Sequence, residues 1–337
     1  MPGRVAVTYE REPDFFLGNG PLGDTAETLV AETEAGRLVA VAVRATRRVL
    51  VDGAAQRVGY LSGLRVDPAF RGRHLTVNGF RALRALHEAD PVPFYLAAIT
   101  AGNREARGIL ADKPRNAVPA FRPVAEVTTL ALVVRRGMRL PSSPFTVEPG
   151  SAATWPAVAA FLREYGRRAS FFPVIEEADL GTPLLRGLAA GDFVLVREGG
   201  SLVGVAALWD QSAFKQTVVQ GYTGALRWAY PLVGFGARLA GAAPLPRPGQ
   251  PLRAAFAAFL TTAHDGVLPL LLRALLRRAA GRGHAFVLLG LAESDPRLVE
   301  ARRLPHIAYA STLYTVAWPD GHAPDLAGRP YVEIAQL

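Results

Sequence analysis

Two arginines flank a glycine in VDPAFRGRHLTVNGF, residues 66–80, where an apolar run gives way to a helical pattern. A helix N-terminus leaves backbone N–H groups unpaired at the positive end of the helix dipole, so a loop entering one can hold a phosphate or pyrophosphate. Arg71 and Arg73 would add charge-assisted, bidentate hydrogen bonds to such an anion. The same residues admit a plainer reading, in which Asp67-Pro68 starts a turn, both arginines are solvated and the helix simply begins there. A second junction of this kind, ITAGNREARGIL at 99–110, places Asn103 between a strand-like run and a helical one.

Other chemistry is thinner. The chain has no cysteine, which excludes disulfides, thiolate catalysis and cysteine-ligated zinc. Its six histidines, at 74, 87, 264, 284, 306 and 322, show no metal-ligand spacing, and no Ser-His-Asp arrangement can be argued from them. The polar run LWDQSAFKQTVVQGY, residues 208–222, offers an acceptor pocket in which Asp210 recognises an amine and Trp209 supplies a cation–π surface beside Gln211, Lys215 and Gln216. The alternative is a solvated connection anchored by Trp209.

These residues must be positioned by a sizeable core, since 337 residues at 50% apolar suit two domains or one large one. Formal net charge is +9, and of 38 basic residues only Lys113 and Lys215 are lysine. The arginines are spread through the chain rather than gathered in a block, which argues against a nucleic-acid partner. The N-terminal stretch has no continuous apolar segment, and residues 228–245 are broken by Arg238, glycines and prolines. We expect a soluble cytoplasmic protein with no membrane association.

Pro, Ser and Gly cluster at 135–155, suggesting domains at 1–140 and 141–337. The first half reads as two strands around the turn Glu34-Ala35-Gly36, a third strand RVGYLSGLRV, a helix Leu75 to Ala89, the strand PFYLAAIT, a short helix from Asn103 and the strand VTTLALVV. After a helix from Ala153 to Tyr165, the second half repeats the order. It has the hairpin DFVLVREGGSLVGVAALWD, the strand LRAAFAAFLTTA, the helix GVLPLLLRALLRRAAGRG, the strand AFVLLGLAE, a short helical segment near Pro296 to Arg303 and the strand STLYTVAW. Two copies of one mixed α/β fold are therefore expected.

With the elements in this order, LRVDPAFRGRHL resembles the acyl-CoA loop of the GCN5-related N-acetyltransferases. That family's pattern is an apolar strand, often Val-x-Pro, then Arg or Gln, two residues, Gly, one residue, and Gly or Ala. Here Arg71 is the anchor, followed by Gly72 and Arg73, while His74 and Thr76 stand where the two glycines are expected. Backbone amides persist at both positions, so the donors to a pyrophosphate are retained. Asn103 and Ala106 match the family's Asn-x-x-Ala. The resemblance in motifs covers residues 28–135; the second half shares only the element order.

The resemblance implies an N-acetyltransferase with acetyl-CoA as acyl donor, direct attack by an amine of a small molecule or peptide, and no metal. It places the cofactor against Leu64, Arg65, Val66, Arg71, Gly72, Arg73, His74, Leu75, Thr76 and Asn103. Gly63 would help close approach. The relatives' catalytic carboxylate falls at Tyr60, eleven positions before Arg71, and their catalytic tyrosine at Leu110. Tyr60 is thus the candidate proton carrier, with Tyr95, Glu32 and Glu105 as possible substitutes. Two rival readings share this fold: a non-catalytic acyl-CoA-binding or sensing protein, and an aminoacyl-tRNA-dependent transferase. In the second half, Asp265 and Pro269 would weaken anion binding at the junction matching Arg71, so the first copy is expected to hold the cofactor.

Overall fold

The computed structural model describes residues 5–71, 75–110, 118–224 and 241–337. Eleven strands form one mixed sheet. From the first half come β2 (Thr25–Glu32), β3 (Leu38–Val51), β4 (Ala54–Val66), β5 (Tyr95–Thr100) and β6 (Ala120–Val133). From the second come β7 (Thr146–Pro149), β9 (Phe193–Glu198), β10 (Ser201–Trp209), β12 (Ala254–Thr262), β13 (Phe286–Ala292) and β14 (His306–Ala317). The spatial order is β2-β3-β4-β5-β14-β6-β13-β12-β10-β9-β7. Only β4/β5 and β12/β13 run parallel; the other pairs are antiparallel.

Each expected strand forms, and the element order does occur twice. The two halves nevertheless share one sheet. β6, the last strand of the first half, pairs with β13, whereas β14, the last strand of the second half, pairs with β5. β6 and β14 meet at the centre from His306 opposite Leu132 to Ala317 opposite Ala120. Alternation along β6 sends Leu130 and Leu132 to the helix Leu268–Gly281 and Val127 to the opposite face.

Helix α1 (Leu75–Ala89) lies on the first half of the sheet, its Phe80 and Leu83 packed with Tyr95, Ala97 and Ile99. Helix α2 (Arg104–Leu110) follows β5, and Leu110, at the position of the relatives' tyrosine, packs against the same cluster. Tyr95 is a structural residue here. Its hydroxyl accepts from Arg44 Nε at 3.2 Å and pairs with His87 Nδ1 at 2.9 Å, and the fully buried Arg44 is in turn held by Glu27 and Asp90.

Several elements had no expectation attached. β1 (Val5–Glu10) pairs with β11 (Gln216–Tyr222) in a separate ribbon, a 3-10 stretch covers Phe15–Leu22, and β15 (Arg329–Pro330) pairs with β8 (Ala169–Ser170). After β15 the chain runs buried from Tyr331 to Gln336. Val332 and Ile334 pack into the first half's core beside Tyr60 and Leu96; Tyr331 and Ala335 pack into the second half's. Within this segment Glu333 Oε2 accepts from Phe259 N at 2.6 Å and from the Tyr331 hydroxyl at 2.8 Å, and Oε1 accepts from Ala335 N at 3.1 Å.

Two predictions follow from this packing. A Cβ added at Gly59 would lie 1.9 Å from the Tyr95 ring, which its hydroxyl partners hold in place. Gly59→Ala is therefore expected to cost about 1–3 kcal/mol in urea unfolding. Gly108→Ala, with nothing within 4 Å of the new methyl, should cost nothing. The second concerns Glu333, which burial pushes up to about 7 against the hydrogen bonds and Arg47, all of which favour the carboxylate. Because the folded value lies above the ordinary 4.5, the folded chain binds more protons between those limits. Stability should fall as pH rises from about 4.5 to about 7 and then level off. Glu333→Gln should flatten that slope in melting temperature against pH.

Candidate acyl-donor cleft

β4 and β5 are neighbours for only three residues, Gly59 opposite Tyr95, Tyr60 opposite Leu96 and Leu61 opposite Ala97. Beyond Leu61, β4 keeps to β3 while β5 keeps to β14, so a gap opens between them. A β-bulge marks the divergence. Ser62 pairs with Val43 and Arg65 with Val41, which leaves Gly63 and Leu64 opposite a single residue. Gly63 has φ 66, a left-handed conformation that favours glycine, whereas the space for a Cβ there is open apart from a Val43 methyl at 3.5 Å.

Residues 62–66 consequently have no strand on their β5 side among the described residues. Gly63, Leu64 and Arg65 are exposed, with Leu64 at 47%. The Ser62 hydroxyl is buried and has no hydrogen-bond partner. Such an edge offers main-chain donors and acceptors to an extended polar ligand.

The loop that follows is built by Asp67. Its Oδ1 accepts from Ala69 N at 2.9 Å and its Oδ2 from Arg37 at 2.6 Å, fixing the 3-10 turn Pro68–Phe70. Arg71 leaves that turn extended and reaches Glu105 on α2 at 2.8 Å, an exposed pair across the mouth of the gap. Gly72, Arg73 and His74 lie outside the described residues. Leu75 and Thr76, both half-buried, open α1. Asn103 caps α2, its Oδ1 accepting from Ala106 N at 3.1 Å. The structure thus gathers Leu64, Arg65, Val66, Arg71, Leu75, Thr76 and Asn103 around one opening, while Glu32 sits exposed at the outer strand β2.

Tyr60 lies one face away from α1, buried at 3%, with the Arg47 guanidinium 4.4 Å over its ring. Burial pushes its hydroxyl up to about 12, although Arg47 and Arg11 pull the other way. It therefore stays protonated at neutral pH. Arg65 donates to the Tyr9 carbonyl at 2.9 Å, which brings the β1/β11 ribbon to the cleft. Arg11 is lowered by burial and then by Arg65; Lys215 is brought down to about 8 by burial and then by Arg11. Lys215 donates to the Leu337 carbonyl at 2.6 Å, and Arg47 to that of Gln336 at 3.1 Å.

The acceptor pocket expected at 208–222 does not form as read. Trp209 is fully buried, stacked on Phe259 at 5.8 Å, and Gln211 is buried with its amide on the Ala335 carbonyl. Lys215 lies over the Phe256 ring at 5.4 Å and beside Arg11, which is itself a neighbour of Tyr60. Arg11, Arg47 and Tyr9 went unread because isolated basic and aromatic residues in separate elements carry no spacing signal.

Among the described residues, no group of three or more His, Cys, Asp or Glu could hold a metal, and no helix is long and apolar enough to cross a membrane. No family model matches the sequence, and no curated protein matches it. Solved structures do. The chain is similar to a GCN5-related N-acetyltransferase from Sphaerobacter thermophilus, with TM-score 0.52 at 15% identity over 89% of this chain and 84% of that one. It is also similar to the GCN5-related glucosamine N-acetyltransferase region of a fungal multi-domain beta-N-acetylglucosaminidase, with TM-score 0.56 at 12% identity over 94% of this chain and 38% of that one. A third likeness is to Saccharomyces cerevisiae N-myristoyltransferase with bound myristoyl-CoA, with TM-score 0.56 at 8% identity over 97% of this chain and 88% of that one. The likeness, over nearly the whole chain, is one of fold, a fold found in GCN5-related N-acetyltransferases.

Proposed function

We propose that this chain is an N-acyltransferase that takes an acetyl or related acyl group from acyl-CoA in the gap between β4 and β5 and passes it to an amine. The observation that carries this reading is the unpaired edge at 62–66, with the Ser62 hydroxyl orphaned beside it and a loop leading straight to the N-terminus of α1. The residues fit an acyl-CoA. Its pantetheine amides suit the backbone groups of Leu64 and Val66, which alternate away from β3 while Arg65 pairs with Val41, and its pyrophosphate suits Arg71, Arg73 and the amides of Gly72, His74, Leu75 and Thr76. Asn103, at the mouth, would border the same ligand. When bound, the donor supplies an activated thioester carbonyl.

The reaction balances without a group attached to the enzyme. An amine lone pair forms the new C–N bond at the carbonyl carbon, the C–S bond breaks, the sulfur leaves with its electron pair, and the amine gives up one proton. Backbone N–H groups at the bulge are placed to stabilise charge on the carbonyl oxygen. Arg11 and Arg47 lie around Tyr60, with Arg65 and Lys215 beside Arg11; Arg11, Arg47 and Arg65 donate to the neutral oxygens of Asn19, Gln336 and Tyr9, and Arg47 also faces the Glu333 carboxylate. A positive field disfavours a further ammonium, so an amine bound there is held neutral. Tyr60, protonated, passes its proton onward as a relay. Glu105, tied to Arg71, is the carboxylate at the mouth rather than at the reacting centre.

CoA or acetyl-CoA should raise the melting temperature, because a ligand that binds only the native state stabilises it. Replacing Arg71 and Arg73 together by alanine should remove most of that rise, whereas Asp265→Ala should leave it. An unchanged rise in the double variant would place the phosphate contacts elsewhere. With an amine panel and detection of released CoA, Tyr60→Phe should slow transfer roughly tenfold or more while keeping the thermal shift. Undiminished transfer would remove Tyr60 from the proton path.

A further inference from the structure

The second half contains a gap of the same construction. β12 and β13 pair in parallel at Ala254–Phe286, Ala255–Val287 and Phe256–Leu288, then part. β12 carries a bulge between Ala258, opposite Ala207, and Thr261, opposite Val205. This is the count found in β4, where two residues lie between Ser62 and Arg65. By that register Gly63 corresponds to Phe259, and the two share a backbone conformation, φ 66 and φ 55. For phenylalanine this conformation is strained.

What differs is the covering. Gly63 and Leu64 are exposed, whereas Phe259 and Leu260 are buried at 0% and 1%. The C-terminal segment lies against both lips of the second gap. Glu333 takes the Phe259 N–H on β12, and a Cβ at Gly290 on β13 would sit 2.2 Å from Ile334. Tyr331 N donates to the Ser170 carbonyl at 2.7 Å, and Gln211 and Arg47 hold the carbonyls of Ala335 and Gln336. Only the mouth stays open, a cavity of about 110 Å³ lined by Thr262, His264, Asp265, Arg168, Arg297 and Arg329. That is smaller than a nucleotide needs.

We infer that the gap between β12 and β13 is a binding cleft whose ligand is this chain's own segment 329–336, recognised through the Glu333 carboxylate at the bulge amide of Phe259. Glu333 takes the Phe259 N–H, whereas the matching Gly63 of the first half lies exposed, with no strand on its β5 side among the described residues. The consequence that one acyl-CoA cleft remains per chain rests on the proposed function; the self-occupancy does not.

Amide hydrogen exchange on the full chain, resolved at Phe259 and Leu64, separates the two. Without ligand, Phe259 should exchange slowly. At a pH well above the Glu333 value of about 7, where its carboxylate is charged, Glu333→Ala should speed it at least tenfold, and Glu333→Gln, which keeps the shape and an acceptor oxygen, should speed it severalfold by exchanging a charged acceptor for a neutral one. An unchanged Phe259 rate in Glu333→Gln, or fast exchange in the unaltered chain, overturns the inference. Added CoA should slow exchange at residues 62–66 and leave 257–262 as they were. Slowing at 257–262 overturns the inference, because the cleft would then accept a second ligand. Slowing at neither site removes the acyl-donor reading and leaves the Glu333 contact standing.

Discussion

Where two parallel strands part, each loses the neighbour that satisfied its backbone, and a buried N–H or C=O left alone costs free energy comparable to a lost hydrogen bond. Such a parting is built twice into this sheet, after Leu61 and after Phe256, and most of what is distinctive in the structure is a response to it. The first gap keeps its edge at the surface, where water or a ligand can pair it. The second turns its edge inward and needs an internal partner, which Glu333 supplies. One constraint met in two ways makes the halves unequal.

The exchange of final strands ties those solutions together. Because β14 sits beside β5 and β6 beside β13, the inner lip of each gap is buttressed by a strand from the other half. Neither β5 nor β13 has an inner neighbour from its own half. The segment after β14 then passes beneath the sheet, placing Val332 and Ile334 under Tyr60 while Glu333 engages Phe259. The floor of the first cleft and the filling of the second are adjacent residues of one segment, so the strained backbone at Phe259 is over-determined by its aromatic stack and by a carboxylate fixed from the far side.

The strands and helices were legible because their patterns are strong. β9, β10 and β13 are near-continuous apolar runs, α1 repeats every three to four residues, and paired glycines at 199 and 200, with φ 53 and 88, mark a hairpin. The first cleft was legible as a strand, a loop and a helix start around Arg71, because those features are contiguous in sequence. What was not legible is contact between remote elements. That β1 pairs with β11 follows from no local pattern, and Trp209 reads equally well as a surface platform or a core anchor until Phe259 is placed beneath it. Glu333 left a faint signal, a single carboxylate in the apolar run YVEIA, whose burial depends on a strand some seventy residues earlier.

The same distinction bears on catalysis. A carboxylate base announces itself in sequence as an acidic residue at a fixed offset from the cofactor loop, and Tyr60 at that offset announces nothing. The proposed function therefore rests on a field rather than a base. Burial holds the Tyr60 hydroxyl protonated and brings Lys215 down to about 8, while Arg11 and Arg65 crowd each other beside it. Groups already paying electrostatic repulsion make a poor home for another cation, and an amine entering among them sheds its proton to solvent more readily than it would in water. Direct attack on a thioester needs a neutral amine more than it needs a strong base. A cluster of cations drawn from β3, β4 and the segments just after β1 and just before β11 can meet that need, and because its members come from four parts of the chain it becomes visible only when the sheet is assembled.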